Sequence, residues 1–172
     1  MTPKGQTGEL RVELGQPLEF TDGATTEEDS TFEVILRGPT YREMDLAARL
    51  EQYVYQAFRN AQNDRPAAGE APSAEEKALA LADKAEDAAD DEEEEMTAAR
   101  AWALLSMFST DIRPILADFE KLAVKVGRLN DETPLTLKLY RSLSVDDIRK
   151  LVSEYVAFFI GRSVVSTMKA LL

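Results

Sequence analysis

The stretch Thr31 to Phe58, TFEVILRGPTYREMDLAARLEQYVYQAF, limits the possible folds more than any other part of the chain. Phe32, Val34 and Leu36 alternate with Glu33 and Arg37, the period-2 pattern of a half-buried strand with Phe32, Val34 and Leu36 on the covered face. Gly38-Pro39 stops that strand. Thr40 and Glu43 then form a Thr-x-x-Glu capping box, which predicts a helix start at this point. Leu46, Ala47, Leu50, Tyr53, Val54, Ala57 and Phe58 recur at spacings of three and four. They make one apolar stripe, expected to pack on the strand just formed.

Upstream, Leu10, Val12 and Leu14 alternate again, and Leu18 and Phe20 resume the pattern beyond Pro17, a residue that marks an edge or a bend. Thr21-Asp22-Gly23 is a turn signal, so the two strands are expected to form an antiparallel hairpin. Two strands alone are marginal in water. The sheet therefore needs the Tyr41 helix across one face or a neighbouring subunit's strand along its edge.

Past Phe58 the periodicity fades. Asn63 to Ser73 has linker composition, and Ser73 with Glu76 opens an Ala-rich helix to about Ala89 that ends in Asp90 to Glu95, six acids in a row. The region 63–95 is expected to be partly disordered. From Met96 the apolar content rises. Trp102, Leu104, Leu105, Met107, Phe108 and Ile112 predict a helix that Pro114 ends or kinks. Ile115, Leu116, Phe119, Leu122, Ala123 and Val126 continue the stripe to Gly127, a natural left-handed helix end. Arg128 to Thr133 reads as a polar loop, and Pro134 as the first position of a short element over Leu135 to Leu143, helix preferred although LTLKL also alternates. Ser144 and Asp147 cap a last long helix. Its stripe runs through Ile148, Leu151, Val152, Tyr155, Val156, Phe159, Ile160, Val164 and Met168. The expected fold class is α+β: residues 1–62 a hairpin plus helix, 63–95 an acidic connector, 96–172 a helical bundle.

Composition narrows the chemistry. The 172 residues include no cysteine and no histidine, which removes disulfides, thiolate metal sites, the usual general base and the commonest metal ligand. Ser106 and Ser109 have no histidine to activate them, and no Gly-rich phosphate loop is present. No catalytic residue, cofactor or metal site is therefore expected. Trp102 and Phe108 read as core, and Asp146-Asp147 as carboxylates placed at a positive helix end. Net charge is −12, and residues 70–95, with 2 basic and 12 acidic side chains, supply −10 of it. An acidic chain disfavours nucleic acid as a partner. No run approaches the roughly 20 apolar residues of a membrane span, so a cytoplasmic protein is expected. The surplus lies at the C-terminus. Val164, Val165, Met168, Leu171 and Leu172 are either an internal core contact or a face that docks into a partner or a like subunit.

The segments Leu14-Gly-Gln-Pro17-Leu18, Thr21-Asp-Gly23, Val34-Ile-Leu36-Arg37-Gly-Pro39-Thr40 and Met44-Asp45-Leu46, with Leu143-Ser144-Val-Asp-Asp147 and Phe158-Phe159, follow a recognisable order. That order resembles the tail assembly chaperones of long-tailed bacteriophages, the group that includes the Mu-like and P2-like phages. The resemblance covers about half of the chain, and Asn63 to Glu95 departs from it as an insertion. It implies a non-catalytic role: binding the helix-rich tape-measure protein and keeping it soluble in the bacterial host cytoplasm, with self-association and without entry into the mature virion. Other readings are a structural virion protein or small acidic adaptor of the same assembly, and an acidic mimic of nucleic acid.

Overall fold

The structure, a computed structural model, describes residues 8–21, 28–64, 96–129 and 133–161. Strands β1 (Glu9–Thr21) and β2 (Glu28–Arg37) pair antiparallel, with Glu9 opposite Arg37 and Thr21 opposite Glu28. Between Glu13 and Leu18 the register shifts, and Leu14 to Pro17 stand opposite Phe32 alone. Pro17, which has no N–H to give a ladder, falls within this bulge. Leu14 and Leu18 remain buried on either side of it, as do Val34 and Leu36 on the partner strand. Phe32 does not join them. It is 55% exposed, because the detour on β1 leaves it without a regular cross-strand neighbour.

A third strand, β3 (Gly127–Arg128), adds to β2 with Ile35 opposite Arg128, so the sheet order is β1-β2-β3. The sequence predicts a left-handed turn and a loop there instead. Gly127 is extended, at φ −91°. Space, not handedness, makes it glycine: a Cβ would lie 2.5 Å from the Ala123 carbonyl oxygen and 2.8 Å from Leu135 Cδ2.

Behind the Gly38-Pro39 corner, the Thr40 N–H donates to Glu43 Oε2 at 2.8 Å and the Thr40 hydroxyl donates to the same carboxylate. The chain makes one 3-10 turn (Tyr41–Glu43) and then helix α1 (Met44–Asn63). Helix α2 (Ala98–Phe108) is capped by Thr97, whose hydroxyl accepts the Arg100 N–H. It ends well before Pro114. That proline instead sits in the first turn of α3 (Arg113–Val126), where its missing N–H costs nothing. Pro134 likewise lies outside the next helix and bridges Arg128, while Thr136 caps a shorter α4 (Leu137–Ser142). Helix α5 (Val145–Tyr155) continues into a π-helical turn, Val156–Ile160.

Leu50, Val54 and Ala57 are the buried stripe of α1, and they face α2, α3 and the π turn rather than the strand that precedes them. A residue before proline is disfavoured in the helical region, so the chain turns away from β2 at Gly38-Pro39 before α1 begins. Helices α5 and α4 pack against β1 instead. One apolar cluster results, running from Val12, Leu14 and Leu36 through Leu50 and Phe119 to Leu151, Tyr155 and Ile160, so segments on both sides of the acidic region share it. The Ser73 capping box, the Ala74–Ala89 helix and the Asp90–Glu95 tract lie outside the described residues, as do Val164, Val165, Met168, Leu171 and Leu172. No helix among the described residues is long and apolar enough to cross a membrane.

The sheet and the helices are joined at Asp147, which is 3% exposed. Its N–H donates to the Ser144 hydroxyl at 3.1 Å, and that hydroxyl donates to Asp147 Oδ2 at 2.7 Å. The other carboxylate oxygen accepts the Gly15 N–H from the bulge at 2.7 Å. One carboxylate thus serves a helix start and a bulge that has no strand partner. Replacing Asp147 by Ala keeps the backbone N–H that Ser144 caps, but removes the charged acceptor of the Gly15 N–H, worth about 1.5–3 kcal/mol, and the acceptor of the Ser144 hydroxyl, worth about 0.5–1.5 kcal/mol. Urea unfolding should show D147A less stable by roughly 2–4 kcal/mol, and Ser144→Ala by about 1 kcal/mol.

Candidate functional site

The N-terminal turn of α2 and the exposed side of α5 border an open groove. At one end a cavity of about 490 Å³ is lined by Met96, Thr97, Ala98, Ala99, Glu154, Ala157 and Phe158. The next, about 310 Å³, shares Ala98 and Ala99 and adds Trp102, Asp146, Arg149, Lys150 and Ser153. The shared alanines make the two cavities one continuous depression. Its floor is small and apolar, one end carries a hydrophobic ring, and the other carries charge.

Each end is fixed by packing beneath it. Phe158 is 44% exposed because the π turn adds a residue to the helical turn and rotates the following side chains relative to the α5 stripe. Behind it the rings run inward: Phe158 to Phe159 at 4.8 Å between centroids, Phe159 to Tyr155 at 4.7 Å, Tyr155 to Phe119 at 5.7 Å, and Phe119 to Tyr140 at 6.4 Å. Phe159 also rests on the corner after β2, where a Cβ on Gly38 would come within 3.1 Å of its ring. At Gly161 a Cβ would lie 2.8 Å from Met96 Cβ, so this glycine lets the helix end close on the start of the α2 segment. Phe158 therefore stands on a stack anchored in the core.

At the polar end the Arg149 guanidinium lies 5.0 Å above the Trp102 ring. Among the described residues it has no carboxylate partner, unlike Arg113, Arg128 and Arg141. Lys150 is engaged, its Nζ donating to the Glu13 carbonyl at 2.7 Å. The ladder begins with the Gly38 N–H donating to the Gly8 carbonyl, so alternation points the Glu13 carbonyl away from β2. Lys150 and Asp147 thus occupy backbone groups that β2 does not use, and they close the middle of the β1 edge to another strand. Trp102 was expected in the core. It is partly buried and packs against the core from its edge, and it also lines the groove, a role that helical spacing alone does not reveal.

Under the π turn lies a buried polar group. Among the described residues the Tyr155 hydroxyl has no hydrogen-bond partner, and burial pushes its phenol far above the usual range. Arg37 and Glu43 both act on it electrostatically. That pair is joined by contacts of 3.2 and 3.3 Å, and Arg37 Nη2 also donates to the Lys125 carbonyl. The Arg37 hydrogen bonds, and then the Thr40 hydroxyl, lower the Glu43 carboxyl from 4.5 to about 2. No group of three or more acidic, His or Cys side chains that could hold a metal occurs among the described residues. Comparison of the chain with protein-family models, curated proteins and solved structures found no match.

Two outcomes follow. A folded-state value below the unfolded one means that Glu43 adds stability above pH about 4.5, and that this is lost as pH falls toward about 2. Because Arg37 is 39% exposed, the contribution is discounted to roughly 2 kcal/mol. Urea unfolding of E43Q between pH 7 and 2 should show lower stability at neutral pH and a flatter curve below pH 4.5. Tyr155→Phe removes an unsatisfied buried hydroxyl, so its melting temperature should equal or exceed that of the parent protein.

Proposed function

We propose that this protein is a non-catalytic assembly chaperone that binds the tape-measure protein of a long-tailed phage and keeps it soluble in the host cytoplasm until the tail tube forms around it. The supporting observation is the groove between α2 and α5, an open channel with an alanine floor and a ring of Phe158 presented at its end. Channels of this kind suit amphipathic helices, whose apolar face lies in while the polar face stays in water. A helix-rich client offers such faces in number. The C-terminal residues Val164, Val165, Met168, Leu171 and Leu172 follow the π turn in sequence and are proposed to extend the same docking face.

Self-association is also part of the proposal, and it is assigned to helix faces rather than the β1 edge, whose middle is occupied by Lys150 and Asp147. Co-expression with the tape-measure protein of the same element tests the reading. The client should become soluble and co-elute on size exclusion, and Phe158→Ser or polar substitutions at Val164, Met168 and Leu171 should abolish co-elution. An insoluble client, with this protein eluting alone, would favour the structural-adaptor reading instead.

A further inference from the structure

Among the described residues, Arg149 is a cation in the groove without an anion. Lys150 is committed to the Glu13 carbonyl, while Asp146 and Glu154 flank Arg149 along α5. A carboxylate entering the groove is thus attracted at one place and repelled on both sides of it. At the other end Met96 and Phe158 offer an apolar seat, and between them Ala98 and Ala99 let a backbone approach closely. We propose that the groove recognises an amphipathic helix of a partner protein by two features on one face: a carboxylate for Arg149 and an apolar anchor for Phe158. On a straight helix, residues seven or eight apart share a face and are separated by roughly 11–12 Å, close to the roughly 13 Å rise from Arg149 on α5 to Phe158 in the π turn.

Charge complementarity selects this occupant. Nucleic acid would need several free cations, and among the described residues the groove holds one. A wholly apolar helix would leave Arg149 unpaired. Naming the client's recognition feature rests on the chaperone reading, but the recognition itself is testable without a client.

Trp102 is the sole tryptophan of the chain and lies under Arg149, so its emission reports on the site. Two Ala-rich helical peptides of 18 residues would be titrated into the full chain, one with Glu and Leu eight apart, the other with Lys in place of Glu. The Glu peptide is expected to shift Trp102 emission saturably and to bind at least tenfold more tightly than the Lys peptide. Arg149→Glu should invert that preference, and Ala99→Phe should weaken both peptides. Equal affinity for the two peptides, no inversion in R149E, or no binding would overturn the proposal. So would a dimer of the chain alone that R149E dissociates without any peptide binding, since the occupant would then be a second copy. Binding of the Glu peptide together with an insoluble tape-measure protein would keep the groove and reject the client; the reverse result would keep the client and reject the groove.

Discussion

The Asp147 carboxylate holds together two parts of the chain that would otherwise have little reason to stay in register. A bulge in β1 leaves the Gly15 N–H without a strand partner, and a hydrogen bond to a charged acceptor is worth about 1.5–3 kcal/mol. Helix α5 supplies the acceptor from Asp147 in its first turn, so forming the helix start and the bulge together stabilises both. Three residues further along the helix, Lys150 takes the Glu13 carbonyl. The helix that packs against the sheet therefore also blocks the middle of its edge. A long first strand that looks open for pairing in sequence is closed by two side chains 132 and 137 positions away.

With one side of α5 committed to β1, its other side is left to form the groove. The π turn matters here because an uninterrupted α-helix would carry the Tyr155, Phe159 stripe onward without a change of phase. An extra residue in the turn lets Phe159 pack on Tyr155 and the Gly38 corner while the adjacent Phe158 stays exposed. The arrangement leaves the Tyr155 hydroxyl buried and, among the described residues, unpartnered beside the Arg37–Glu43 pair, although those two side chains satisfy each other and Thr40. Polar satisfaction is concentrated on the capping box, where the helix begins, and is given up where the rings stack.

What the sequence made legible was local. Thr40 with Glu43 and Ser144 with Asp147 are boxes defined by residues three apart, and both form. The alternation of Val12, Leu14, Val34 and Leu36 located the covered face of the hairpin, and the Leu50, Val54, Ala57 spacing located the buried side of α1. Phe32 was misplaced because a bulge depends on pairing, not on the alternation of one strand. Gly127 was misread for a similar reason: a left-handed cap and a glycine squeezed by Leu135 look alike until the distant side chain is placed. Pro114 and Pro134 marked helix boundaries, yet neither lay on the side of the boundary that periodicity suggested. The groove itself was hidden, since Ala98, Ala99 and Arg149 have no shared spacing and meet only when α2 and α5 pack.

The charge balance gives that groove its meaning. The chain carries −12 overall, but residues 96–172 carry 11 basic and 8 acidic side chains, net +3, so the helical half has the opposite sign to the whole. Bulk attraction cannot then select an acidic helix, because the chain as a whole is acidic. Exposed charges act weakly beyond roughly 8–10 Å at physiological ionic strength, whereas a carboxylate seated on Arg149 would be at contact distance. Partner choice at this site must come from register: one free cation between two acids, a fixed interval from an aromatic anchor, and an alanine floor that admits a helix only when those points coincide.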